Sequence, residues 1–399
     1  MSVSHVPLTP MRFQVPGRAL PLLTAGASVV LAAAAAAPAS AAEAPADLLV
    51  RPAPAGPPAT TAWVSGREVF VAEDPAGVGA GRRVARLTRT VGAPEVSLSR
   101  DGRHLAVMGG EGVWSVPIAV GGPPTRLGDV PDDGAGGVRW APDGRQLLLV
   151  DRSITHCVVE PQVRCRKAVT NGASAEFGAS WSPDSATFAY TRARRDHDST
   201  GVGDLVTRPV AAGPIRVIER ATFDKRRVSF PTSAVWTRSG LAWTTYSGRN
   251  VADFEFRLST RLQRPDGTVR TLAASPALAG KVLVPFLVSA ETPSGRLLGQ
   301  RITSPSRTID DEASVSLRTL SALGRQAPYG VSYREGKRSA EILGVLADGR
   351  IAVQLPLDAD GLRQALYLVT PGKAGLGTPV RTASAVSAAV AFPNDSRSF

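Results

Sequence analysis

Cysteine, methionine, lysine and aromatic side chains are all scarce in this chain. There are two cysteines, three methionines, and 6% aromatics among 399 residues. So few soft or flat side chains argue against a large Met-rich or aromatic binding surface. Lysine supplies only five of the 46 basic residues, arginine the rest. That bias reads as GC-rich coding as much as selection for a polyanion. The net charge of +12 therefore supports solubility and a loose affinity for anionic surfaces.

Catalytic signatures are missing too. The chain has no Gly-x-Ser-x-Gly elbow, no His-Glu-x-x-His, no phosphate-cradling Gly-Lys-Ser loop and no Cys-x-x-Cys. The four histidines are His5, His104, His156 and His197. His5 falls in the leader described below, His104 in an apolar strand, and His156 beside a cysteine. A triad would have to be built on His197, with no nucleophile nearby. No segment is left over to encode a separate hydrolase domain, so a non-catalytic protein is expected.

What is present is a chain built to fold. At 43% hydrophobic and 20% charged residues it is too apolar for disorder. Its length suits two or three domains, or one large all-β barrel or propeller. Residues 1–41 are set aside from the folded part. They carry Arg12 and Arg18, no acidic residue, an apolar run from Ala19 to Ala37, and the small-x-small ending Ala39-Ser40-Ala41. This is the layout of a signal peptide, with an uncleaved membrane anchor as the alternative. Cleavage removes two arginines, leaving a net charge of +10. No cysteine follows the run, so no lipid anchor is expected, and no later segment is long and apolar enough to span a bilayer. The predicted location is secreted, extracellular or on the periplasmic side of the envelope. Residues 42–59, rich in Ala and Pro, read as a flexible leader.

Cysteine placement agrees with export. Cys157 and Cys165 flank Pro161, and a turn over Glu160–Gln162 sets them opposite each other on antiparallel strands, close enough for a disulfide. A metal pair with His156 is the competing reading, but it lacks zinc spacing.

The chain is also a repeat. The phrase Ser-Leu-Ser-Arg-Asp-Gly-Arg-His-Leu-Ala-Val at 97–107 returns as Arg-Trp-Ala-Pro-Asp-Gly-Arg-Gln-Leu-Leu-Leu at 139–149 and Ser-Trp-Ser-Pro-Asp-Ser-Ala-Thr-Phe-Ala-Tyr at 180–190. Weaker copies follow at 235–243 and 291–298, and a last one, Val-Leu-Ala-Asp-Gly-Arg-Ile-Ala-Val, at 345–353. With Gly102, Gly144, Ser185, Gly240, Gly295 and Gly349 as markers, the steps are 42, 41, 55, 55 and 54 residues. A period of this size around a strand–turn–strand core predicts a β-propeller, with a β-sandwich as the alternative. Asp-Gly supplies the tight turn. The strand that follows is apolar at consecutive positions, as in Leu147-Leu-Leu-Val150, which suits a strand covered on both faces. Two further strands complete each unit, as in Gly112–Leu127 and Leu205–Val217.

These units resemble the TolB-like, WD40-related propeller repeats, whose phrase is roughly Trp-Ser-Pro-Asp-Gly, an apolar strand, then a strand ending in Gly-Gly. The resemblance covers about residues 60–399, strongly in units two to four and poorly in units five and six. It implies one all-β domain acting as a periplasmic or extracellular binding scaffold rather than an enzyme.

The chain ends set the expected blade count. The first unit, Thr60–Ala72 with Gly81–Thr88, has strands b, c and d but no strand a. The missing phrase stands at the C-terminus, Val390-Ala-Phe-Pro-Asn-Asp-Ser-Arg-Ser-Phe399. That segment is expected to close the ring by supplying strand a of the first blade, with Phe392 buried there. The prediction is seven four-stranded blades, with six, the usual TolB number, as the alternative.

Acidic loops are the candidate binding site. The loops joining strands b to c hold Asp196, Asp198 and Asp204, then Asp253 and Glu255, Asp310, Asp311 and Glu312, and Asp358 and Asp360; the d–a loop with Asp132 and Asp133 joins them on one face. Against a basic chain this grouping could hold a divalent cation or a basic peptide. Solvating surface acids are the plainer alternative, and Lys225-Arg-Arg227 and Lys337-Arg338 interrupt the acidic ring. The a–b turns carry Arg100, Arg103, Arg145, Arg238, Arg296 and Arg350 on the opposite face. With no aromatic interleaving there, nucleic acid is not an expected partner. The expected function is a monomeric, non-catalytic, secreted propeller binding a protein or cell-envelope component, with no cofactor. The alternative is a metal-dependent hydrolase or lactonase with a carboxylate-held cation at the ring centre.

Overall fold

A computed structural model of the chain describes residues 48–49, 56, 58–73, 81–87, 95–109, 112–129, 137–150, 153–170, 179–193, 203–224, 227–248, 257–275, 282–304, 314–334, 341–345, 350–356, 364–370 and 379–390. Among these every regular element is a strand, and every strand pairing is antiparallel. No helix among them is long and apolar enough to cross a membrane.

Strand β1 (Leu48–Leu49) precedes unit one, which comprises β2 (Thr61–Ser65), β3 (Glu68–Ala72) and β4 (Arg82–Leu87). Unit two is β5 (Glu95–Leu98), β6 (His104–Gly109), β7 (Gly112–Pro117) and β8 (Thr125–Gly128). Unit three is β9 (Gly137–Trp140), β10 (Gln146–Val150), β11 (Ile154–Val158) and β12 (Arg164–Val169). Unit four is β13 (Ala179–Trp181), β14 (Thr187–Ala193), β15 (Gly203–Pro209) and β16 (Arg216–Glu219). A short β17 (Thr222–Phe223) leads into unit five, β18 (Val228–Thr237), β19 (Gly240–Gly248), β20 (Arg257–Gln263) and β21 (Val269–Ala274). Unit six is β22 (Val282–Glu291), β23 (Leu297–Ser304), β24 (Ser314–Leu320) and β25 (Gln326–Arg334). Unit seven is β26 (Glu341–Val345), β27 (Ile351–Pro356), β28 (Gln364–Val369) and β29 (Pro379–Val390).

Units two, three, four and six are each a four-stranded meander, and β17 adds a fifth strand to unit five. Units one and seven share one eight-stranded sheet, because β29 pairs with both β28 and β2. Among the described residues no sheet closes on itself, and neighbouring sheets pack face on face. The expected leader is tied down at two points: Leu48–Leu49 pair with β4, and Ala59 is buried, its N–H bonded to the Gly102 carbonyl at 2.8 Å.

Strand β10 shows why the inner strands are apolar at consecutive positions. Leu148 and Val150 pack with Trp181, Phe188 and Tyr190 of unit four. Leu147 and Leu149 face the other way, onto Ala106, Met108 and Val113 of unit two. Alternate side chains thus serve two neighbouring sheets, each buried Leu contributing about 1.5–3 kcal/mol relative to exposure. Similar apolar interfaces join units one and two, four and five, five and six, and six and seven.

The turn between the first two strands recurs as the phrase predicts. The markers Gly102, Gly144 and Gly295 hold φ of 68°, 71° and 76°, and Ser185 takes the same conformation at 58°. A serine carries the cost of the left-handed region here while its Oγ accepts the Asp143 N–H of the neighbouring turn at 3.0 Å. In unit two, Asp101 Oδ1 accepts from Ser99 Oγ and the Arg103 N–H, at 2.7 and 3.1 Å.

Candidate functional site

The a–b turns and the first strands are laced together from sheet to sheet. Trp140 Nε1–H donates to the Ser97 carbonyl at 3.0 Å, and one unit later Trp181 Nε1–H donates to the Arg139 carbonyl at 2.9 Å. The repeated tryptophan therefore fills the gap toward the preceding sheet and satisfies a carbonyl on the free edge of its first strand. Between units four and five the Trp236 N–H donates to Ser180 Oγ at 3.0 Å. Between five and six the slot is filled differently: Glu291 stands where the repeat has tryptophan. Its buried carboxylate accepts the Arg238 N–H, 3.0 Å from Oε2, and Arg238 Nη1 donates to the Pro293 carbonyl at 3.0 Å.

The cysteines form a disulfide, Cys157–Cys165, joining directly opposed residues of β11 and β12 with Cα atoms 4.1 Å apart. The hairpin it closes presents Glu160 to unit two. Glu160 Oε1 lies 2.8 Å from His104 Nε2, and Arg145 Nε is 3.6 Å from the other oxygen. The hydrogen bond from His104 is the main reason the Glu160 carboxyl sits below its usual range, helped by the charges of His104, Arg103 and Arg145 against partial burial. His104 is buried and stacks on Trp140, so its position is structural, as its place in an apolar strand implies. His156 turns its Nε2 to Gln146 Oε1 at 2.9 Å and its ring edge toward Trp181. Burial first, then the Arg166 charge, lowers its pKa and favours the neutral ring.

Of the acidic candidates, the structure places Asp204, and not in a loop: it is the second residue of β15 and is buried. Its oxygens are occupied, Oδ2 by Arg192 Nη2 at 2.9 Å and Oδ1 by the Ala221 N–H at 3.0 Å. A carboxylate spent in this way secures the chain leaving β16 rather than facing a ligand. Asp132, Asp133, Asp196, Asp198, Asp310, Asp311, Glu312, Asp358 and Asp360 lie outside the described residues, as do Asp253, Glu255 and Phe392. Among the described residues no three His, Cys, Asp or Glu side chains come together as a metal would need.

Another charged cluster escaped the sequence reading. Glu219, on the outer strand β16, accepts from Thr245 Oγ1 at 3.1 Å and from Trp243 Nε1, and meets Arg261 Nη1 at 3.1 Å. Its partners all belong to unit five, so a half-buried ionic network joins two sheets. The only sequence signal was a glutamate in a strand otherwise rich in β-branched residues.

No protein-family model matches the chain, and no curated protein matches it. Among solved structures it is similar to a TolB from Agrobacterium tumefaciens, with 16% identity, a TM-score of 0.37, and coverage of 68% of this chain and 88% of that one. It is also similar to dipeptidyl peptidase 4 from Porphyromonas gingivalis, with 14% identity, a TM-score of 0.41, and coverage of 71% and 46% respectively. A third is a dihydro-heme d1 dehydrogenase, at 12% identity, a TM-score of 0.43, and coverage of 85% and 76%. Likenesses this distant bring none of those proteins' activities, ligands or partners to this chain.

Proposed function

We propose that the chain is an exported, non-catalytic β-propeller of seven blades that binds a protein or cell-envelope component across a face of its ring. The observation that carries this is the order in which the innermost strands meet. β5 neighbours β9, β9 neighbours β13, and the series runs on through β18, β22, β26 and β29, which lies beside β5 again. Seven inner strands in one cycle support seven blades around a channel, not six. β29 serves two blades: Pro379 and Val380 pair with β28 as the outer strand of the last, and Ala385–Val390 pair with β2 as the inner strand of the first. The closing strand on this reading begins several residues before the phrase that suggested it.

The disulfide favours an oxidising compartment, in keeping with the export expected from the leader. Binding rather than catalysis is favoured by the fate of the described polar groups. His104, Glu160, Asp204, Glu219 and Glu291 are all engaged in holding one sheet to another or one strand to the next.

Cross-linking of the native protein in envelope fractions, with mass-spectrometric mapping, tests the reading alongside metal analysis of the purified chain. We expect cross-links concentrated in loops of one ring face and no stoichiometric divalent ion. One ion per chain, lost on Asp310→Asn or Asp358→Asn together with turnover of an ester or lactone, would overturn it in favour of a metal-dependent hydrolase.

A further inference from the structure

Among the described residues four large aliphatic side chains stand exposed: Val120 at 64%, Ile215 at 37%, Val269 at 50% and Leu323 at 63%. Single exposed apolar residues are ordinary on a protein surface, but these four are not scattered. Each lies at the turn joining the third strand of its unit to the fourth, in units two, four, five and six. The same turn of unit three exposes Pro161. A cation follows closely in four of the five turns. Arg216 comes directly after Ile215, Arg270 directly after Val269, Arg325 two residues past Leu323, and Arg164 three past Pro161; all are exposed. The acids of these turns, Glu160 and Asp266, are engaged. Glu160 meets His104 and Arg145, and Asp266 Oδ1 accepts from the Thr268 N–H and Oγ1–H at 2.8 and 2.7 Å. The turns therefore carry apolar tips on a positive ground.

Contacts place these turns at one end of the packed sheets. In an antiparallel meander the a–b and c–d turns fall at the same end. Here they are bonded to each other: the N–H groups of Ile118, Val159 and Val210 donate to the carbonyls of Arg103, Arg145 and Ala186, each at 2.8 Å. In unit six, Arg296 Nη2 donates to the Arg325 carbonyl at 3.1 Å. From unit to unit the a–b turns and first strands are joined through Asp143 to Ser185, Trp236 to Ser180 and Arg238 to Pro293. On the ring reading, which this inference rests on, the c–d turns form the outer rim of one face. A plane laid on that face meets several of them at once. A protein partner is held by a contiguous, close-packed apolar core. Aliphatic side chains spaced one to a unit, with cations beside them, instead match a bilayer surface. Its interface takes single apolar side chains at separate points, and its anionic headgroups attract the guanidinium groups.

We propose that this rim docks the protein on an anionic lipid surface, with Val120, Ile215, Val269 and Leu323 entering the interface and the neighbouring arginines at its headgroups. An environment-sensitive fluorophore on Val120→Cys, Val269→Cys or Leu323→Cys tests it, since the native cysteines are paired. Such a probe reads insertion at each turn separately from any contribution of residues 1–59. Vesicles containing phosphatidylglycerol should brighten and blue-shift all three labels. They should spare Thr170→Cys, exposed past β12 at the other end of unit three. Pure phosphatidylcholine vesicles should bind about tenfold more weakly or worse. Serine at all four aliphatic positions should weaken binding to the anionic vesicles about tenfold, and Arg216→Gln or Arg270→Gln about fivefold each. Because every one of these side chains is exposed, the melting temperature should not change. Equal binding to both kinds of vesicle, or no response at any turn, overturns the docking. A response at one turn alone overturns the ring that levels the rim, and the docking with it. Envelope cross-links at these turns without vesicle binding overturn the lipid partner in favour of a protein, and leave the proposed function standing.

Discussion

Deleting residues 383–399 should destabilise the protein by about 3–6 kcal/mol and make it aggregate, although chain ends are usually dispensable. The deletion removes Ala385–Val390, the strand paired with Thr61–Ser65. Each ladder bond lost is worth about 0.5–1.5 kcal/mol net, and the newly exposed edge is not designed for water. Thr61, Ala62 and Val64 are buried, and β5 packs beside both β2 and β29. On the proposed ring, loss of this strand frees units one and seven, which share one sheet through β29, to part and expose apolar faces. Thermal unfolding followed by light scattering checks this: an unchanged melting temperature and a clear solution would contradict it.

The second large effect is expected at Trp181. The side chain is buried among Leu148, Val150, Phe188 and Tyr190, and its indole N–H bonds the Arg139 carbonyl. Trp181→Ala should cost about 3–5 kcal/mol from the cavity and lost transfer energy, lowering the melting temperature by roughly 5–10 °C. Trp181→Phe keeps most of the volume and loses the hydrogen bond, so about 1–2 kcal/mol is expected. Equal losses in the two variants would mean that the indole bond, not the packing, ties units three and four. Denaturant melts of both variants make the comparison.

The contrast between these sites shows what the amino-acid order made legible. Asp-Gly turns recur because the chain must reverse in two residues, which a left-handed position allows; the markers among the described residues, Gly102, Gly144, Gly240, Gly295 and even Ser185, all hold positive φ. Consecutive apolar residues, as in Leu147–Val150, revealed strands covered on both faces. The cysteine pair was legible because a short turn leaves its flanking residues opposed. Glu291 was not, because it stands where the repeat has tryptophan and shares only the geometry of the slot. The lengthening of the step from 41 or 42 residues to 54 or 55 is explained by unit design. β18 and β22 each run ten residues with register shifts, where β9 has four. Bulges break the alternation that a reader of the sequence relies on. Asp204 was misplaced for a related reason: a polar residue near a turn looks solvent-facing until the N–H it satisfies is seen.

The central claim is that the last strand of the chain is the first strand of the first blade, and amide hydrogen exchange of the intact protein tests it most directly. If the ring is closed, the amides of Ala385–Val390 exchange as slowly as those of the interior strands β6 and β10, since releasing them requires opening the whole ring. Exchange of residues 385–390 at the rate of a free chain end, with β6 and β10 still protected, would contradict closure and with it the count of seven blades.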